Sequence, residues 1–171
     1  PRSAVVLRPD PPTAAPVTRQ LTLHAKVRSI VVDLDTEATF RALTARHPRA
    51  PLFWVDPDQA SGHGPRYSIL GAAAGPSSQT IRYRVDDRTA FIRTGEEMEE
   101  LQEEDVFALL QARIANTRVT GLPAGFPFPG GYLGYFGYEL KSLLLGPNRH
   151  RSTTPDAYWL RPESFIVYDH G

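Results

Sequence analysis

The side chains best suited to holding a small charged molecule are Asp56, Arg66, Tyr67 and Ser68. They sit in two stretches, Pro51-Leu-Phe-Trp-Val-Asp-Pro57 and Arg66-Tyr-Ser-Ile-Leu-Gly71. If these form neighbouring strands, the four residues line one polar pocket. A carboxylate suits an ammonium group and a guanidinium suits a carboxylate, so the pocket would take an amino acid, which has both. The same residues fit a plainer arrangement, an Asp56–Arg66 ion pair closing the loop with Trp54 and Tyr67 in the core. The sequence leaves both open.

A second segment, Gly130-Gly-Tyr-Leu-Gly-Tyr-Phe-Gly-Tyr-Glu-Leu-Lys141, repeats glycine at 131, 134 and 137 and tyrosine at 132, 135 and 138. Glycine weakens a strand interior, so its use here implies close approach of another backbone or of a ligand. A phosphate loop is a poor match, because no Gly-Lys-Ser/Thr follows and no helix start is evident. A dinucleotide fingerprint fails on spacing. Tight strand packing is the favoured expectation. In Asn148-Arg-His-Arg-Ser-Thr-Thr-Pro-Asp-Ala157, His150 and Asp156 could serve acid–base chemistry, but no nucleophile context accompanies them. Pro155 holds Thr154 extended and Asp156 favours turns, so a structural turn is expected. His24, His47 and His63 lack metal-ligand spacing, and His170 stands alone beside Asp169. Acids crowd Glu96–Asp105; a helix amino terminus favours such charge, and a solvated approach to a helix explains the run better than a cation site.

The elements that must position these residues follow from periodicity. Gln20–Val32 alternates as a half-buried strand. Thr36–Arg46 reads as a helix capped by Asp35 or Thr36. Leu52–Val55 and Tyr67–Ala73 read as strands. Thr80–Val85 and Ala90–Arg93 form a hairpin around Asp86-Asp87-Arg88, with Ile81, Tyr83 and Val85 on one face. Asp105–Thr117 is the clearest helix, with Val106, Leu109, Leu110 and Ile114 on one side, and Gly121-Leu-Pro ends it. Gly131–Tyr138 and Ala157–Tyr168 complete the strands. Strands outnumber helices and join through hairpin-like pieces. The expected class is α+β, a largely antiparallel sheet with flanking helices.

Composition narrows the function. Basic and acidic side chains balance at 19 each, so there is no electrostatic footprint for nucleic acid or an anionic membrane. Cysteine is absent, which excludes disulfides and thiolate metal sites. No apolar run is long enough to span a bilayer, and a cytoplasmic location is the default expectation. Residues 1–19 carry five prolines and no hydrophobic period, as an extended linker would.

Together these segments resemble the chorismate-utilising enzymes, specifically the amino-terminal domain of component I of aminodeoxychorismate synthase of the fused plant or actinomycete type. Component I of anthranilate synthase is a relative. Leu52-Phe-Trp-Val-Asp56 with Arg66-Tyr-Ser-Ile-Leu-Gly71 is similar to the family's first block, and the Gly131–Lys141 run to its Gly-Tyr block. Asn148–Ala157 with Tyr168-Asp-His170 is similar to a block of the fused synthases and favours aminodeoxychorismate over anthranilate synthase. The resemblance spans roughly residues 20–170. It implies a Pro-rich linker over 1–19 and, over 20–171, an amino-terminal domain lacking the catalytic chorismate-binding domain.

The implied activity of the full enzyme is amination of chorismate, with Mg²⁺ and glutamine-derived ammonia, to 4-amino-4-deoxychorismate for 4-aminobenzoate and folate. Its implied partners are the carboxyl-terminal chorismate-binding domain, a glutaminase domain or subunit, and tryptophan at the pocket of Asp56, Arg66, Tyr67 and Ser68. No catalytic or metal residue carries over, and the 171-residue chain alone is expected to be inactive. Where anthranilate synthases read Leu-Leu-Glu-Ser, this sequence has Phe53-Trp-Val-Asp56: Val55 replaces the acid, Asp56 the serine, and bulky Trp54 stands beside them. An anthranilate synthase domain and a free-standing tryptophan-binding module are the alternative readings. Separated from its catalytic half, such a domain should expose apolar surface.

Overall fold

A computed structural model describes residues 20–56, 67–103 and 105–170. The expected linker at 1–19, and Arg66 with the loop before it, lie outside the described residues. The helices are α1 (Thr36–Arg46), α2 (Val106–Ala115) and the short α3 (Ser142–Leu145). The strands are β1 (Leu21–His24), β2 (Leu52–Val55), β3 (Tyr67–Ala72), β4 (Gln79–Arg84), β5 (Thr89–Thr94), β6 (Glu97–Gln102), β7 (Thr117–Thr120), β8 (Leu133–Phe136), β9 (Ala157–Arg161) and β10 (Ser164–Asp169).

A hairpin starts the main sheet. Alternation along β4 sends Ile81 and Tyr83 to one side, and β5 answers with Ala90 and Ile92 at the paired positions. The turn between them passes through Arg88 at φ 50°. Strands β6 and β9 flank this hairpin and β8 closes the far edge, giving the antiparallel order β6-β5-β4-β9-β8. A second antiparallel sheet runs β10-β3-β2. Strands β1 and β7 form a separate parallel pair. The α+β expectation with largely antiparallel sheets holds.

Two apolar layers hold these parts together. On one face of the five-stranded sheet, Val106 and Leu109 of α2 pack on Ile81, Tyr83, Ile92 and Trp159. The buried Tyr83 hydroxyl donates to the Glu103 carbonyl at 3.0 Å, so its polar end is satisfied. On the opposite face, Phe53 and Phe165 of the three-stranded sheet meet Leu160, Leu133 and Tyr158. Helix α1 lies against β2 and β3, with Phe40 and Trp54 in ring contact at 5.4 Å. Asp35 caps it by accepting from the Ala38 N–H at 2.9 Å, and Asp105 caps α2 the same way at Phe107 and Ala108.

Several expectations need correction. The strand read over Gln20–Val32 is only β1. The acidic run is no mere approach to a helix: Glu97–Gln102 pairs along β5 as an edge strand, and Asp105 caps the helix start. The helix read over Asp105–Thr117 is not ended by Gly121-Leu-Pro: α2 stops at Ala115, and β7 intervenes and pairs with β1. The Gly131–Tyr138 strand shortens to β8, and a 3₁₀ turn, Tyr138–Lys141, follows and leads into α3. The last strand is two, β9 and β10, separated at Pro162-Glu163.

The glycine–tyrosine run is explained by backbone approach. A Cβ on Gly134 would collide with the Tyr158 carbonyl and crowd Trp159, and one on Gly137 would lie 2.6 Å from the Asp156 carbonyl oxygen. Gly134→Ala should therefore push β8 off β9 and cost about 1–3 kcal/mol, read from the urea midpoint. An unchanged midpoint would contradict the packing role. Burial raises the Tyr132 and Tyr158 phenols above their ordinary pKa, against lowering by Arg161 and Arg113 at the first and by Arg93 and Arg82 at the second. The folded state thus holds these protons more tightly than the unfolded chain. Their stabilisation is complete below the unfolded phenol pKa of about 10 and is lost as pH climbs from there through the folded values. Urea titrations at rising alkaline pH should show this decline, and it should flatten in a Tyr132→Phe/Tyr158→Phe variant.

Candidate functional site

Strands β2 and β3 are antiparallel neighbours, as the pocket required. Val55 stands opposite Ile69, which carries Asp56 to the level of Ser68. Ser68 is fully buried and its hydroxyl donates to Asp56 Oδ1. The Trp54 indole N–H donates to the same oxygen at 3.2 Å, because residues two apart on a strand share a face. Asp56 is exposed, and among the described residues both of its side-chain hydrogen bonds fall on Oδ1. Tyr67 begins β3 half-buried, on the sheet face opposite Ser68 by strand alternation. Arg66 is outside the described residues.

A residue that sequence reasoning set aside joins this group. Strand β10 pairs with the other side of β3, with Tyr168 opposite Ser68. Just beyond its end, His170 Nε2 lies 2.6 Å from Ser68 Oγ, and the Tyr168 ring meets the imidazole edge-on at 4.8 Å. The available signal was the strand pattern before Asp169-His170. Only the register of β10 on β3 turns that into a contact.

Direction of the hydrogen bonds decides what the group can do. A serine hydroxyl has one proton, and here it goes to Asp56. His170 must then donate its Nε2–H to Ser68 Oγ. Nucleophilic serine chemistry needs the reverse, with the imidazole accepting the serine proton and the carboxylate on the imidazole's other nitrogen. Serine, histidine and aspartate meet here in an order that fixes the carboxylate rather than activating the hydroxyl. The arrangement suits recognition of a cationic or hydrogen-bond-donating group.

The segment Asn148–Ala157 behaves as a strap. Asp156 is buried, and its Oδ2 accepts the Val85 N–H at 2.8 Å. Its own N–H donates to the Tyr83 carbonyl at 2.9 Å, and its carbonyl accepts from Gly137 at 2.7 Å. Arg84 reaches into the strap, donating to the Ser152 and Thr153 carbonyls at 2.9 and 3.1 Å. His150 and Asp156 border one cleft of about 200 Å³, but the Asp156 carboxylate is committed to backbone, as a structural turn requires. Among the described residues no three His, Asp or Glu side chains gather as metal ligands, and no helix is long and apolar enough to cross a membrane.

The His170 arrangement is testable. Long-range proton–nitrogen NMR should find Nε2 protonated, and Ser68→Ala should cost about 1 kcal/mol for the hydrogen bonds it removes, because Asp56 and His170 are exposed and water can replace the hydroxyl at both. A neutral imidazole carrying its proton on Nδ1 would reverse the assigned bond direction.

No protein-family model matches the sequence. The chain is 35% identical over 161 residues to an aminodeoxychorismate synthase from Streptomyces pristinaespiralis, covering 93% of this chain and 21% of the relative. An aminodeoxychorismate synthase from Streptomyces griseus is 30% identical over 167 residues, covering 94% and 22% respectively. Anthranilate synthase component 1 from Pseudomonas putida is 26% identical over 145 residues, covering 82% and 28%. The chain is thus a homologue of these enzymes over most of its own length, in keeping with the resemblance read from its motifs. It spans about a fifth of the length of the two Streptomyces relatives.

Proposed function

We propose that this chain is the non-catalytic amino-terminal domain of an aminodeoxychorismate synthase. The observation that carries the reading is the match to two such synthases over 93% and 94% of this chain and only 21% and 22% of theirs. An apolar surface supports it. Phe107 and Ile114 of α2, Phe136 of β8, and Tyr138, Leu144 and Leu145 after it are all exposed. Phe107, Ile114 and Phe136 border a groove of about 300 Å³. That is the kind of surface a catalytic half would cover.

In this reading the longer enzyme aminates chorismate to 4-amino-4-deoxychorismate for 4-aminobenzoate and folate. A glutaminase domain or subunit supplies ammonia and a carboxyl-terminal domain binds chorismate, in the cytoplasm. Mg²⁺ would serve that other half. The described residues offer it no ligand cluster. Asp56 and Ser68 are the remnant of an amino-acid pocket, with tryptophan as the family's ligand, while Tyr67 stands on the other face of the sheet. The Ser68 and Trp54 bonds to Asp56 fall on Oδ1, and an ammonium group would meet the other carboxylate oxygen.

The test compares two proteins. The 171-residue chain should not convert chorismate with ammonia, and a longer protein carrying it should release 4-amino-4-deoxychorismate. Anthranilate as the product would overturn the assignment in favour of the anthranilate synthase relative. Calorimetry with tryptophan should give heat that Asp56→Ala abolishes; no heat at high tryptophan would remove the pocket from the proposal.

A further inference from the structure

One end of the α2-facing core is polar rather than apolar. Strand register lines up Thr94 of β5, Gln79 of β4 and Arg161 of β9, with Tyr132 just ahead of β8. Gln79 donates to the Thr94 hydroxyl at 2.8 Å and accepts from the Tyr132 hydroxyl. Arg161 is only 3% exposed, yet a single bond from Nη2 to the Ser77 carbonyl, at 3.0 Å, serves its guanidinium. Its Nε and Nη1 are buried without a partner. Buried donors are almost always paired, and a buried charge is costly unless an opposite charge meets it.

The neighbouring acids are engaged elsewhere. Glu163 accepts the Ser77 N–H at 2.8 Å, and Glu99 binds Arg113 at 3.2 Å. Gln79 Oε1 already takes the Tyr132 proton. Arg113 is neutralised by its pairing with Glu99, which leaves the Arg161 guanidinium as the uncompensated charge of this corner among the described residues. The corner carries surplus positive charge and surplus planar donors. Both features call for the same missing group.

We propose that Arg161 anchors an acceptor site for a carboxylate, which takes the unused N–H groups of the guanidinium and neutralises it. A planar carboxylate matches the donor geometry of arginine better than a spherical anion does. The carboxylate can come from a small free acid or from an acidic side chain of a longer polypeptide. The site is separate from the Asp56–Ser68–His170 group, and it does not depend on which reaction the longer protein performs.

The test is thermal unfolding in sodium malonate against sodium chloride at matched ionic strength. In chloride, Arg161→Met should raise the midpoint of the 171-residue chain by about 3 °C, because it removes an unpaired buried charge without opening a cavity. Malonate should raise the wild-type midpoint saturably, raise that of Arg161→Lys less, and leave Arg161→Met unmoved. A free acid as the source predicts the same malonate response in a longer protein carrying this segment. A polypeptide side chain as the source predicts no malonate response there, and a lower midpoint for Arg161→Met. A malonate response that survives Arg161→Met would overturn the site. So would a lower midpoint for Arg161→Met in the short chain with no malonate response from wild type, since the guanidinium would then already be satisfied.

Discussion

Strand β9 is the constraint on which the other elements depend. Its neighbouring residues Trp159 and Leu160 enter different cores, one beneath α2 and the other against the three-stranded sheet. A strand buried on both faces cannot shift by one residue without exchanging its two sets of contacts. It is therefore pinned at its start, where Asp156 binds the ends of β4 and β8 through backbone and carboxylate together. The bare glycines of β8 and the turn after it follow from the same demand. With a side chain at Gly134, β8 could not lie as close to β9 as it does.

Much of this was legible in the residues. Helix α1 has its expected bounds and its Asp35 cap, and Ile81, Tyr83 and Val85 are buried as their alternation requires. What stayed hidden has a common physical cause, which is pairing between distant segments. Glu97–Gln102 has almost no apolar alternation, and it becomes a strand because β5 offers it an edge. Thr117–Thr120 is short and follows a helix directly, yet it finds β1 nearly a hundred positions away. At the candidate site, Asp56 and Ser68 could be paired in advance because β2 and β3 are neighbours in sequence. His170 could not, because its place depends on how β10 sets on β3.

The two polar groups of the molecule contrast in how completely they are satisfied. Around Ser68 each proton has a destination, and the chain of donors runs from imidazole to hydroxyl to carboxylate. Around Arg161 the donors outnumber the acceptors. The first fixes an exposed acid in place without leaving a reactive hydroxyl. The second is a buried cation whose surroundings suit a group that the described residues do not supply. Neither is the remnant of a hydrolytic centre, despite the presence of serine, histidine and aspartate together.

The two edges of the five-stranded sheet are chemically unlike. Along β6 stand Glu97, Glu99 and Glu100, whereas β8 exposes Tyr135 and Phe136. Two acidic edges repel when copies approach side by side, and an apolar edge has no such protection. Growth of ordered aggregates needs two sticky ends, one to bind and one to pass the template on. This sheet has one. Association through the edges of this sheet would end at a pair, and the glutamates of β6 would act as its terminator.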